Sequence, residues 1–167
     1  GADFLKKFRP DATVWVSSPT WANHKGVFSA AGFPVSEYTY YDPEAKGLDA
    51  AGLMDDLKKV PAGDIVLLHV CCHNPTGVDP NADQWKQIAD LAEECGWFPF
   101  FDFAYQGFGT SIESDRAPLE LFAERGLEFL VAGSCSKNFG LYNERTGSVS
   151  LCATSAEAAQ HSFSHLK

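Results

Sequence analysis

Lys137 is the residue of this chain whose setting best suits covalent chemistry. A strongly apolar run, Phe129 to Ala132, precedes it and reads as a buried strand, and the chain leaves that strand at Gly133. A lysine just beyond a buried strand is partly desolvated. Burial lowers a lysine pKa from about 10.4 toward neutrality, which frees the nucleophilic amine for Schiff-base chemistry with a carbonyl. Ser134, Ser136 and Arg145 lie within the same dozen residues. Hydroxyls and a guanidinium fork are the groups that hold a phosphate. An amine reactive toward aldehydes, set beside phosphate holders, suits a phosphorylated aldehyde. Against this stands the ordinary fate of a lysine after a strand, a solvated loop position. The segment is no nucleotide P-loop, because G-x-x-x-x-G-K-[ST] is absent.

Three further clusters carry groups that could act with Lys137. Asp102 ends a run in which four of five residues are aromatic, Trp97-Phe98-Pro99-Phe100-Phe101. A carboxylate there is costly unless paired. It is either a cap or loop acid, or the partner of a protonated pyridine nitrogen, which makes such a ring an electron sink. His73-Asn74-Pro75-Thr76-Gly77 is a turn: the residue before proline avoids helical angles, and Gly77 permits positive φ. It reads equally as a plain strand-to-helix connection. Trp21 and His24 put an indole and an imidazole in one loop, although Trp21 also suits a core. His69, Cys71, Cys72 and His73 invite zinc, but their spacing fits neither C-x2-C nor H-x3-H pairs, so no metal site is expected.

These residues need elements to hold them. Strands are expected at 13–16, 35–40, 64–70, 97–101, 127–132 and 147–152, from β-rich or continuously apolar runs. Helices are expected at 22–31, 49–59, 81–95 and 118–125. Asp49 is the expected cap of the second and Gly96 the expected residue past the end of the third. Phe4, Leu5 and Phe8 share a helical face, and Thr154-Ser155-Ala156-Glu157 reads as a capping box opening a last helix. Both termini read as cuts through helices, and so the chain as a piece of a longer protein. Helices alternating with unalternated apolar strands indicate an α/β layer on a mainly parallel sheet. Ligands of such sheets sit beyond the strands' carboxyl ends. Loops 17–24, 71–77, 102–108 and 133–145 lie there and should build one composite site.

Composition narrows the partners. With 45% apolar and 21% charged residues the 167-residue chain is globular. A formal charge of -9 argues against nucleic acid or an anionic membrane surface, and no apolar run is long enough to cross a bilayer. Five irregularly spaced cysteines suit reduced thiols in a cytoplasmic protein.

Pro19-Thr20-Trp21-Ala22-Asn23-His24, His73 to Gly77, Asp102 to Phe108 and Ser134 to Gly147 together resemble, in order, four segments of the class I aminotransferases, in their aspartate and aromatic amino acid branch. The resemblance runs from about Pro19 to Gly147. It implies a fold-type I pyridoxal-phosphate enzyme, with residues 1–167 forming most of its large, cofactor-binding domain. The implied activity moves an amino group between an amino acid, aspartate or aromatic, and a 2-oxo acid such as 2-oxoglutarate. By the same resemblance Lys137 binds the cofactor aldehyde and later moves the proton, while Asp102 meets the pyridine nitrogen. Asn74 and Tyr105 contact the phenolic oxygen, Trp21 stacks on the ring, and His24 orients Asp102 from behind. Ser134, Ser136 and Arg145 take the phosphate. The family's glycine-rich phosphate loop, its arginine for the substrate carboxylate and its second subunit in a homodimer lie outside these residues, so the piece alone is expected to be inactive. Other readings are a different fold-type I enzyme, such as a lyase or decarboxylase, and a non-catalytic fragment or paralogue that acts as a binding module. A doubly wound nucleotide-binding domain is the weakest, lacking G-x-G-x-x-G.

Overall fold

The computed structural model of the chain describes residues 1–166. Strands β1 (Val14–Ser18), β2 (Val35–Thr39), β5 (Ile65–His69), β6 (Phe98–Phe103), β7 (Phe129–Ser134) and β8 (Gly147–Cys152) form one sheet in the order β2-β1-β5-β6-β7-β8. All neighbours are parallel except β7 and β8, which are antiparallel. A two-stranded hairpin, β3 (Tyr41–Asp42) with β4 (Gly47–Leu48), stands apart from the sheet and is not expected from the sequence.

The parallel strands are apolar on both faces because helices cover both. Side chains alternate, so Ile65 and Leu67 of β5, Phe98 and Phe100 of β6, and Leu130 of β7 pack with Val14, Val16 and Phe28 under α1 (Ala2–Phe8) and α2 (Ala22–Ala30). On the other face Val66, Leu68, Phe101 and Phe129 pack with Leu53 and Leu57 of α3 (Ala50–Leu57), Trp85 and Ile88 of α4 (Ala82–Cys95), and Phe122 of α5 (Ala117–Glu124). Phe101, Phe122 and Phe129 meet edge to face with centroids 5.0–6.3 Å apart.

Local signals set the helix ends. Asn81 and Gln84 form a reciprocal capping box on α4, and Gly96, at φ 74°, closes it in the left-handed region that glycine adopts freely. Asp49 caps α3 by accepting from the Gly52 amide. The final helix, α7 (Ala156–Leu166), corrects the expected cap. Ser155, not Thr154, accepts from the Ala158 amide, because Thr154 is turned toward Glu128, whose carboxylate takes both its amide and its hydroxyl. β7 also runs two residues past Ala132, since antiparallel pairing with β8 continues to Ser134 opposite Gly147. The stretch after it is partly ordered as a single helical turn, α6 (Cys135–Asn138).

Candidate active site

Strand register gathers the first groups. His69 ends β5 and lies beside Asp102 in β6, which lies beside Ala132 in β7. Asp102 has the parity of Phe98 and Phe100, so it faces the α2 side, where His24 sits. β1 and β5 are neighbours, yet their following helices, α2 and α4, cover opposite faces. The crevice at their carboxyl ends is thus a topological switch point, where open α/β sheets bind ligands. A cavity of about 510 Å³ opens here. All nine sequence-derived candidates line it: Trp21, His24, Asn74, Asp102, Tyr105, Ser134, Ser136, Lys137 and Arg145.

Asp102 is held by a directional chain. His24 Nε2 donates to its Oδ2 at 2.9 Å and the Ala104 amide donates to Oδ1 at 3.1 Å. His24 Nδ1 lies 2.8 Å from the Thr20 hydroxyl and is bonded to it. Thr20 Oγ1 in turn faces His69 Nε2 at 3.5 Å, while the Asn74 amide reaches His69 Nδ1 at 3.4 Å. The network suits a neutral His69 and an ionised Asp102. The charges agree with it. Burial pushes His69 down to about 4, so it is uncharged at neutral pH. Burial works against the Asp102 carboxylate too, but the hydrogen bonds from His24 and the Ala104 amide hold its pKa below the usual carboxylate range.

Sequence reasoning missed the next layer. His73, 1% exposed, bonds Ser17 through Nε2 and Thr76 through Nδ1, each at 2.8 Å, and stacks on Tyr40 at 3.8 Å between centroids. Its ring also lies 4.3 Å from that of His69, and burial lowers its pKa to about 3. His73 thereby anchors the turn that carries Asn74. Counting histidines for zinc obscures this role; among the described residues no group of His, Cys, Asp or Glu is placed to hold a metal ion. His69 and His73 are visible in the sequence, but nothing local indicates that they stack behind Asp102.

The remaining groups stand opposite. Lys137 is half-buried, with Nζ 4.6 Å from the centre of the Tyr105 ring. Ser134 Oγ caps α6 by accepting from the Ser136 amide at 3.1 Å, and Ser136 is buried. Arg145 is exposed, with φ 51°, and Nη1 reaches the Tyr142 carbonyl at 3.4 Å. Among the described residues neither Lys137 nor Arg145 forms an ion pair with a carboxylate, which leaves both side chains available to a ligand. Trp21 meets His24 edge-on at 5.2 Å and keeps much of its ring open. The arrangement offers an amine, a fixed carboxylate, an aromatic wall and a hydroxyl–guanidinium group around one space.

Comparison with known proteins agrees. The family model "Aminotransferase class I and II" matches residues 1–165. The chain is 52% identical to the aspartate aminotransferase of Pseudomonas aeruginosa over 167 residues, covering 100% of this chain and 42% of that protein. It is 52% identical to that of Escherichia coli over 166 residues, covering 99% and 42%. Among solved structures, an aromatic amino acid aminotransferase from Burkholderia cenocepacia superposes with TM-score 0.98 at 46% identity, covering 99% of this chain and 42% of the other. The Burkholderia pseudomallei aromatic-amino-acid aminotransferase, solved covalently bound to pyridoxal phosphate, gives 0.97 at 46%, with the same coverage. The chain thus spans about two fifths of the length of these relatives. Within that span the match is continuous in sequence and in backbone, and the chain belongs to the class I and II aminotransferases.

Proposed function

We propose that this chain is most of the cofactor-binding large domain of a pyridoxal-phosphate-dependent aminotransferase. The activity exchanges an amino group between aspartate or an aromatic amino acid and a 2-oxo acid such as 2-oxoglutarate. One observation carries the reading: an unpaired amine, an ionised carboxylate and a set of phosphate-type donors face a single cavity. The donor chemistry fits the cofactor group by group. Ser134, Ser136 and Arg145 suit its phosphate, Asp102 its ring nitrogen, Asn74 and Tyr105 its phenolic oxygen, Lys137 its aldehyde and Trp21 its ring face.

When bound, the cofactor supplies an electron sink for charge developing at the substrate α-carbon. The chain's own residues do the rest. Asp102, kept ionised by His24, holds a proton on the ring nitrogen. With the cofactor in place, the Lys137 amine would be the base that removes the substrate α-carbon proton and the acid that gives it back. Tyr105 lies against Lys137 and limits where that amine can swing. Trp21 walls one side of the cavity and offers its ring as a stacking face.

The complete protein is proposed to be a cytoplasmic homodimer. Free cysteines support the compartment. Phe139, Leu141 and Tyr142, exposed beside the site, support a partner surface over it. In the full-length protein Lys137→Ala should keep cofactor bound yet remove the covalent attachment that borohydride traps, with nearly all turnover. Trapping that persists at another lysine overturns the assignment. The 167-residue chain alone should give no steady turnover of aspartate or tyrosine with 2-oxoglutarate, because preorganised contacts act together and several are missing.

A further inference from the structure

The loop that follows Tyr105 is exposed from Gly107 to Thr110, yet it closes around one buried side chain. Asp115, 6% exposed, accepts three of its amides: Gly107 at 2.8 Å and Gly109 at 3.0 Å on Oδ2, and Thr110 at 2.8 Å on Oδ1. Among the described residues no cation pairs with this carboxylate. Burial disfavours its charge, but the amides of Thr110, Gly109 and Gly107 outweigh that and depress its pKa. The fit is close: a Cβ on Gly109 would stand 2.6 Å from Asp115 Oδ1.

Asp115 is tied to the core on one side and to Tyr105 on the other. It lies in the 3-10 turn Ser114–Arg116 that leads into α5, which Phe122 anchors in the aromatic core. The loop it gathers begins two residues after Tyr105. The Tyr105 carbonyl accepts from the Phe108 amide at 3.0 Å and from Cys71 Sγ at 3.4 Å. Phe108 lies between two of the clasped amides, so the clasp fixes the turn that fixes Tyr105.

We propose that Asp115 is a positioning residue: by clasping the amides of Gly107, Gly109 and Thr110 it holds the Tyr105 ring at the cavity wall, against Lys137 and within reach of the cofactor's phenolic oxygen. This rests on the cavity being a pyridoxal-phosphate site. A hydroxyl that donates to an ionised phenolic oxygen favours the ionised form, so displacing Tyr105 raises the pH at which that oxygen titrates.

The test uses the full-length protein loaded with pyridoxal phosphate, its cofactor absorbance titrated against pH. The other charged or titratable side chains around the cavity, Lys137, Asp102, His24, His69, Tyr142 and Arg145, are unchanged in every variant. Asp115→Asn, and separately Gly109→Ala, which crowds the carboxylate without removing it, should each raise the midpoint by about half a pH unit. In a Tyr105→Phe background neither should move it further. Hydrogen exchange at Gly107, Gly109 and Thr110 should speed up by about tenfold or more in Asp115→Asn. If Asp115→Asn does not fold by near-UV circular dichroism, Gly109→Ala decides by the same criteria. An unmoved midpoint, or an equal shift with and without the Tyr105 hydroxyl, overturns the inference while leaving the proposed function intact. A wild-type protein that takes up no cofactor overturns both.

Discussion

The two sides of the cavity are built differently. Around Asp102, His24, Thr20, His69 and the Asn74 amide form one chain of hydrogen bonds, with His73 packed against His69. Across from it, the segment from Phe139 to Ser150 is exposed throughout, and Phe139 leaves 72% of its surface in solvent. The difference follows from position in the sheet. Asp102 lies in an interior strand with parallel neighbours on both sides and helices on both faces. Lys137 and Arg145 lie between β7 and β8, at the sheet's margin. The Asp102 side of the cavity is thus preorganised within this chain, whereas the side that carries Arg145 is open, which suits a surface that something else covers.

Side-chain truncation should break this contrast most sharply. Phe100, buried against Phe28 on the face that carries Asp102 and lining the cavity, should cost about 3–5 kcal/mol when changed to alanine. Phe139→Ala should fall within about 0.5 kcal/mol of the parent chain. Urea denaturation of the 167-residue chain and its variants measures both, and equal costs would show that the two sides are equally packed.

The second test addresses chemistry in the full-length protein. Asp102→Ala should lower kcat by about 10²–10³-fold, the scale of losing one preorganised electrostatic partner. Asp102→Glu, which keeps the charge, should lose much less. Small and equal effects would make Asp102 an ordinary loop acid and the ordered side of the cavity mere packing.

The third test reads the histidines. His69 and His73 are held near 4 and near 3, whereas an unfolded histidine titrates near 6.5. Between these values the unfolded chain binds more protons than the folded one. The stabilising contribution is therefore complete above about pH 6.5 and is lost as pH falls toward 4 and then 3. Stability at pH 5 should be lower than at pH 7 by roughly 2–4 kcal/mol. His73→Gln should reduce that slope, and a profile flat from pH 7 to 5 would mean that these rings are not buried neutral.

Elements with strong local signals are legible in the sequence alone. α4, expected over 81–95 with Gly96 past its end, forms at Ala82–Cys95 with Gly96 as its stop, and Asn81 proves to be its cap. The aromatic run before Asp102 signals a strand over 97–101, and β6 is that strand, although it runs to Phe103 and takes Asp102 inside it. The cap of α7 lies one residue from its expected position because Thr154 and Ser155 are chemically equivalent caps. Only Glu128, 26 residues away, decides between them.

The sequence by itself determined the α/β class, the carboxyl-end loops and the identity of nine residues that line one cavity. Strand runs and turn chemistry are local properties of the chain, and the nine residues came from their types together with the resemblance of four short motifs to aminotransferase segments. Tertiary structure alone decided how those residues are held. His24 reaches Asp102 across 78 positions, and Thr20 faces His69 across 49. His73 stacks on Tyr40 from another element, and Asp115 folds back on a loop in front of it. Such pairings depend on strand register and on which helix covers which face. A protonation state set by burial, as at His69 and His73, exists only once the core has closed around it.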